Sequence, residues 1–190
     1  MYTFEEWKKN LIIVRGGGDI ATGTIYKLYQ SHFPVLVLEI ANPSCIRRTI
    51  SFCEAVFDKK IEVEGVTAKR ADSLEDAFTI YERGQIPVMI DENGCMIQKV
   101  EPPVVVDAIL AKRNLGTKIT DAPAVIGIGP GFCAGKDVDA VIETQRGHNL
   151  GKVIYEGEAA PNTGIPGIIG GYAKERVIHA PATGKLHILR

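Results

Sequence analysis

The stretch LIIVRGGGDIATGTIYKLYQSHFPVLVLE, residues 11–39, decides the fold. Leu11–Val14 is a compact apolar run, too short for a helix and suited to a strand buried on both faces. It closes on Arg15 and three glycines, Gly16, Gly17 and Gly18. From Asp19 to Gln30 apolar residues recur at helical spacing (Ile20, Ile25, Leu28), and Pro34 interrupts the pattern. Val35–Leu38 is a second apolar strand, stopping at Glu39. Strand, glycine turn, helix and strand in that order form a βαβ unit, which requires the two strands to be parallel.

Outward from this unit, Thr3–Asn10 reads as a short helix with Thr3 as N-cap and Glu6 closing a capping box. Short alternating stretches between Cys53 and Arg70, such as Ile61–Glu64, predict β structure. Ser73 starts a helix that runs to about Arg83, with Asp76 at the capping-box position. Pro87–Ile90, Val104–Val106 and Val125–Ile128 are further apolar strands, ending at Asp91, Asp107 and a Gly-Pro-Gly turn. The expected fold is α/β, a Rossmann-like parallel sheet followed by a glycine-rich β segment that includes Val138–Glu143 and Lys152–Tyr155. Residues 1–122 form the nucleotide-binding region in this reading, 123–172 complete the domain, and 173–190 begin a small β module. The run Leu186–Leu189 reaches Arg190 with no terminating signal, so the chain reads as cut within that module.

Composition narrows the function classes. Apolar residues make up 45% and charged residues 24% of the 190, the balance of a globular domain. A net charge of −1 supplies no field to gather nucleic acid or anionic lipid, so neither is an expected partner. No apolar stretch approaches the roughly 20 residues needed to span a bilayer, and Glu5 and Glu6 stand where a secretion signal would be apolar or basic. The cysteines Cys45, Cys53, Cys95 and Cys133 have no zinc-ligand or CxxC spacing. Such scarcity fits a reducing compartment, and the expected location is cytoplasmic.

Gly16-Gly17-Gly18-Asp19-Ile20-Ala21 matches the G-x-G-x-x-(G/A) form of a phosphate-holding turn. Gly16 provides the tight exit from the strand, Gly18 lets backbone approach phosphates, and Ala21 lets helix pack on strand. The helix N-terminus offers unpaired N–H groups and partial positive charge to an anion. Glu39, about 20 residues on, is placed to accept from ribose hydroxyls and disfavours a 2′-phosphate. Asp19 stabilises the helix but repels phosphate, so a turn that binds nothing is the competing reading.

Three further groups carry candidate chemistry. Arg47 and Arg48 can hold phosphate oxygens in bidentate fashion and lower the pKa of Cys53, whose thiolate attacks soft electrophiles. The alternative is a buried apolar Cys53 beside solvated arginines. Gly129 and Gly131 flank Pro130 in a second candidate anion nest, or a plain turn. Arg146 and His148 follow close in sequence, His148 as a candidate acid or base, or as an ordinary polar residue. Asp91 and Asp107 could meet at the sheet's binding edge, but no spacing points to a metal site, and Pro161–Gly167 could close over a ligand or act as a connector.

The segments VRGGGDIATGTIYKLYQS (14–31), VLEIANPSCIRRTISFCEAVFD (37–58), VEGVTA (63–68), GIGPGFCAGKDVDAVIETQRGHNLGKVI (127–154) and PNTGIPG (161–167) together resemble the YqeB family of selenium-dependent molybdenum hydroxylase accessory proteins. The family is similar in its Rossmann-like part to the XdhC accessory proteins, which bind molybdenum cofactor and hand it to xanthine dehydrogenase. The resemblance implies a maturation factor that binds a nucleotide or molybdenum cofactor dinucleotide, with the molybdenum hydroxylase apoenzyme as partner. It also implies a longer chain, with a module like a biotinyl or lipoyl sandwich entered near Val177–Ala182. Cys133 stands where relatives are associated with Thr, so it is not expected to be an essential nucleophile. An NAD-dependent oxidoreductase is the alternative enzyme reading, although no Tyr-x-x-x-Lys or His/Asp pair ends a suitable strand. A non-catalytic adaptor on the hydroxylase is the third reading. Whether the chain is an enzyme, and whether it forms a homodimer, stay open at this level.

Overall fold

The computed structural model describes residues 2–164 and 167–184. The elements in chain order are α1 (Phe4–Asn10), β1 (Ile12–Arg15), α2 (Asp19–Gln30), β2 (Val35–Glu39), α3 (Ala55–Asp58), β3 (Lys60–Val63) and β4 (Val66–Ala71). They continue with α4 (Leu74–Glu82), β5 (Ile86–Ile90), α5 (Cys95–Val100), β6 (Val104–Asp107), β7 (Ala124–Ile128), β8 (Cys133–Ala134), β9 (Ala140–Ile142), β10 (Val153–Ile154) and β11 (Gly157–Glu158). Nine strands form one sheet in the order β10-β9-β7-β6-β1-β2-β5-β4-β3, while β8 and β11 pair separately. Within the nine-stranded sheet the outer pairs, β3 with β4 and β9 with β10, are antiparallel and the inner described pairs parallel, while β8 and β11 are antiparallel to each other. The fold is α/β and Rossmann-like.

Helices cover both faces because the inner strands are apolar on both. Ile12 and Val14 of β1 pack with Ala21 and Ile25 of α2 and with Phe52, Ala55 and Val56. Leu11 and Ile13 point the other way, onto Trp7 of α1, Leu74, Ala77 and Ile80 of α4, and Ile97 of α5. A third cluster of Val125, Phe132, Ala134, Val138, Val141 and Ala159 lies under the glycine-rich segment, which thereby continues the same sheet.

The expected helix starts hold in detail. Thr3 and Glu6 close the capping box of α1, and the Ser73 hydroxyl accepts from the Asp76 N–H at 3.1 Å. Two expectations are corrected. Residues 53–58 are helical turns rather than β structure, because Phe52, Ala55 and Val56 pack in one cluster with Ala21 and Ile25 of α2, with Cys53 also buried. The strands begin only at Lys60 and are joined by Glu64 and Gly65, both at positive φ, as a two-residue hairpin turn demands. The short helix α5 was not readable from periodicity. It is fixed by Asp91, whose carboxylate accepts from the N–H groups of Cys95 (3.0 Å) and Met96 (2.7 Å). Leu186–Leu189 and His187 lie outside the described residues, as do Ile165 and Pro166 of the expected Pro161–Gly167 loop. Among the described residues, no helix is long and apolar enough to cross a membrane.

At the centre of the sheet Arg15 faces Asp107 across the β1–β6 pairing. Both are buried, with 6% and 1% of their surface exposed, and their N and O atoms lie 3.3 Å apart. The Thr117 hydroxyl donates to the same Asp107 oxygen at 2.5 Å and also contacts the guanidinium. Removing one partner leaves the other charge buried and unpaired. Asp107→Ala is therefore expected to lower unfolding free energy by about 3–5 kcal/mol. The double change Arg15→Met, Asp107→Leu should cost less than that single change in urea denaturation.

Candidate functional site

The site is the C-terminal edge of the sheet where the strand order reverses. From β1 the chain passes to β2 and β5 on one side, and returns to β6 and β7 on the other. In open α/β sheets such a reversal leaves a crevice between diverging loops. The three glycines fill it with three different roles. Gly16 has φ +91°, and a Cβ there would lie 2.9 Å from the Ala108 carbonyl oxygen. At Gly17 a Cβ would lie 3.0 Å from the Cys53 nitrogen. At Gly18, the N-cap of α2, nothing lies within 4 Å, so the surface stays open for another molecule.

Gly17 is the hub. Its N–H donates to Glu39 Oε2 at 2.8 Å, and its carbonyl accepts from the Cys53 N–H at 2.8 Å and the Thr22 hydroxyl at 3.2 Å. The buried Thr22 hydroxyl in turn accepts from the Phe52 N–H at 2.9 Å. Glu39 Oε1 accepts from the Ile40 N–H at 2.8 Å. The glycine turn, the end of β2 and the 52–54 turn are thus joined through one residue. Glu39 therefore serves the turn itself, in addition to the ribose role expected of it. Burial raises its carboxyl pKa, and the two N–H donors only partly offset this.

The cationic residues are engaged as well. Arg47 forms an ion pair with Asp19 at the start of α2, which neutralises the carboxylate expected to repel an anion. Arg48 binds Glu54 in bidentate fashion, Nε to Oε2 at 2.7 Å, and its guanidinium lies 5.3 Å from the centre of the Phe57 ring. The expected lowering of the Cys53 pKa is corrected. Burial pushes this thiol strongly upward, its contact with Cys45 adds to the effect, and so do the charges of Glu39 and Glu54. Both arginines spend their charge on carboxylates, so little reaches the sulfur.

Two cavities flank the segment Ile109–Leu110. One, of about 190 Å³, is lined by Arg15, Gly16, Glu39, Ser44, Asp91 and Ile109 among others. The other, of about 290 Å³, takes in Ile20, Leu110, Lys112, Pro130 and Thr144. Only the second is near the lower bound of about 300 Å³ usual for small-molecule sites.

Compared with known proteins, the chain is 53% identical over 174 residues to the "Uncharacterized protein YqeB" of Escherichia coli strain K12. The chain belongs to the YqeB family. The match covers 92% of this chain and 32% of that relative, so the chain spans about a third of the relative's length. No family model and no solved structure matches it.

In this YqeB-family chain the remaining expected residues separate from the glycine turn. Gly129 donates its N–H to the Ile142 carbonyl and packs against Thr144 and Leu110. A Cβ on Gly131 would fall 2.6 Å from the Arg113 backbone. These two glycines admit neighbouring side chain and backbone, at a loop the sequence leaves open between an anion nest and a plain turn. Arg146 and His148 sit on the exposed 145–150 turn and line neither cavity. That turn hangs from Glu143, whose carboxylate accepts from the N–H groups of Ala160 (2.8 Å) and Gln145 (2.7 Å), holding its pKa below the usual carboxylate value. Asp91 and Asp107 have different partners, the start of α5 and Arg15. Among the described residues no cluster of three or more His, Cys, Asp or Glu side chains could hold a metal ion. Sequence reasoning missed Arg15, Thr22, Cys45 and Thr117. The one available signal was an arginine closing an apolar strand.

Gly17→Ala should lower stability by about 1–3 kcal/mol by pushing the 52–53 turn outward, while Gly18→Ala should stay within about 0.5 kcal/mol. Thermal or urea unfolding of both variants checks this. Glu39 adds a pH signature. Its pKa is raised on folding, so its contribution to stability is fullest below its unfolded value and is lost as pH rises through the folded one. Relative to Glu39→Gln, which does not titrate, the native chain should lose stability as pH rises over the interval above the ordinary carboxyl value of 4.5. Paired urea titrations showing a native gain over that interval would contradict the assignment.

Proposed function

We propose that this chain holds the nucleotide end of a nucleotide-bearing cofactor within a selenium-dependent molybdenum hydroxylase system, as an accessory protein acting in that enzyme's maturation. The cofactor in this reading is the molybdenum cofactor dinucleotide, and the partner is the hydroxylase apoenzyme. The observation carrying the ligand half is the position of the Gly16–Gly18 turn and the start of α2 at the reversal of strand order, with a cavity to either side. The pathway half rests on the sequence resemblance.

The residues present fit a nucleotide. The open face at Gly18 borders the start of the twelve-residue helix α2, where the Ile20 N–H donates to Asp19 Oδ1 at 3.0 Å, so a phosphate displaces that carboxylate to reach the N–H. Arg47, exposed at its guanidinium, cancels Asp19 and can turn from it onto a phosphate oxygen. Each Glu39 oxygen accepts one backbone N–H and keeps a lone pair for a ribose hydroxyl. Ile20, Leu110 and Pro130 supply apolar surface, and Lys112 a cation, for the remainder of the ligand. Cys53 and His148 have no part in this reading.

Asp19→Asn should tighten nucleotide binding and Arg47→Ala weaken it, each by about 0.3–1 kcal/mol, because the first removes repulsion at the phosphate and the second exposes it. Isothermal titration with NAD, ATP, CTP and molybdopterin cytosine dinucleotide reads both. Absence of heat with all four removes the cofactor-holding reading.

A further inference from the structure

The four cysteines are free thiols, yet Cys45 and Cys53 bring their sulfurs to 2.7 Å, eight residues apart in the chain. Cys45 is half-buried and Cys53 fully buried. The loop carrying Cys45 is held at Ala41, whose N–H donates to Glu92 at 3.3 Å, and at Arg47 by its ion pair with Asp19. Between those points, among the described hydrogen bonds, the sulfur of Cys45 is its one inward attachment. The neighbouring Ser44 lines the smaller cavity. Cys53 is fixed by its N–H bond to Gly17. A sulfur on a sparsely attached loop therefore rests on an anchored one, beside a cavity wall.

We propose that Cys45 and Cys53 are a redox pair, whose reversible disulfide latches residues 41–47 onto the glycine turn. With a small-molecule disulfide as oxidant the step is balanced. Cys45, the accessible thiol, loses its proton and attacks one sulfur of the oxidant, giving a mixed disulfide and one released thiol. The Cys53 sulfur then attacks that of Cys45, closing the internal disulfide and releasing the second thiol. The two cysteine protons end on the two released thiols, and one electron pair passes from protein to oxidant. Burial disfavours the Cys53 thiolate, so Cys45 attacks first, and Cys53 gives up its proton only as it closes the internal disulfide, to the thiolate that leaves. The latch stands on loop geometry and requires no bound nucleotide.

Arg47 and Arg48 lie between the two cysteines, so trypsin separates them unless they are linked. After equilibration of the whole chain with oxidised glutathione, non-reducing mass mapping should find the Cys45 and Cys53 peptides joined. Cys45→Ser should abolish the link with the circular-dichroism spectrum unchanged. Under native conditions, nicking at Arg47 and Arg48 should slow by about tenfold on oxidation in the native chain and show no redox dependence in Cys45→Ser. Glutathione found only on Cys95 or Cys133, with Cys45 and Cys53 unlinked, overturns the pair. A link that leaves nicking unchanged overturns the latch. Neither readout involves a nucleotide, so its failure is separate from failure of the titrations above.

Discussion

The peptide groups of Gly17 are the constraint on which the edge of this sheet depends. Its N–H is committed to the end of β2 through Glu39, and its carbonyl to the 52–54 turn and to α2 through Cys53 and Thr22. A buried peptide group without partners costs on the order of 1–3 kcal/mol, so the three elements have reason to stay assembled around it. The glycine is required because backbone approaches from the side where a Cβ would sit. The open surface at Gly18 exists because its neighbour, not Gly18 itself, meets the rest of the chain.

Charge at this edge is balanced locally. Asp19 has Arg47, Glu54 has Arg48, and Asp107 has Arg15. The exposed Arg47–Asp19 pair contributes little to stability and exchanges partners readily, whereas Arg48 reaches from solvent to a buried Glu54. The buried pair holds its geometry, since neither member can leave without stranding the other. The site thus combines a fixed floor with an adaptable rim, as the nucleotide-holding role we propose would require.

Much of the architecture was legible because it rests on local signals. Thr3 with Glu6, Ser73 with Asp76, and the apolar runs at Leu11, Val35, Val104 and Val125 mark elements through capping and strand patterning. Residues 53–58 were not legible, since consecutive buried residues look alike in a short helix and a buried strand. The site was legible in part. The glycine turn and Glu39 announced themselves by spacing, but the assignment of Glu39 to Gly17 depends on a contact across 22 residues. The Cys45–Cys53 contact and the Arg15–Asp107–Thr117 group arise only once the chain has folded. Arg146 and His148 show the converse: nearness in sequence to a glycine turn did not bring them to a cavity.

The two rims of the sheet close the picture. One is β3, where exposed Lys60 and Glu62 alternate with half-buried Ile61 and Val63, and the other is β10, two residues long. Charge guards the first against pairing with a foreign strand, and brevity guards the second. Sheet growth from molecule to molecule is thereby discouraged at both ends, which keeps concentrated solutions of the folded chain from polymerising through its backbone.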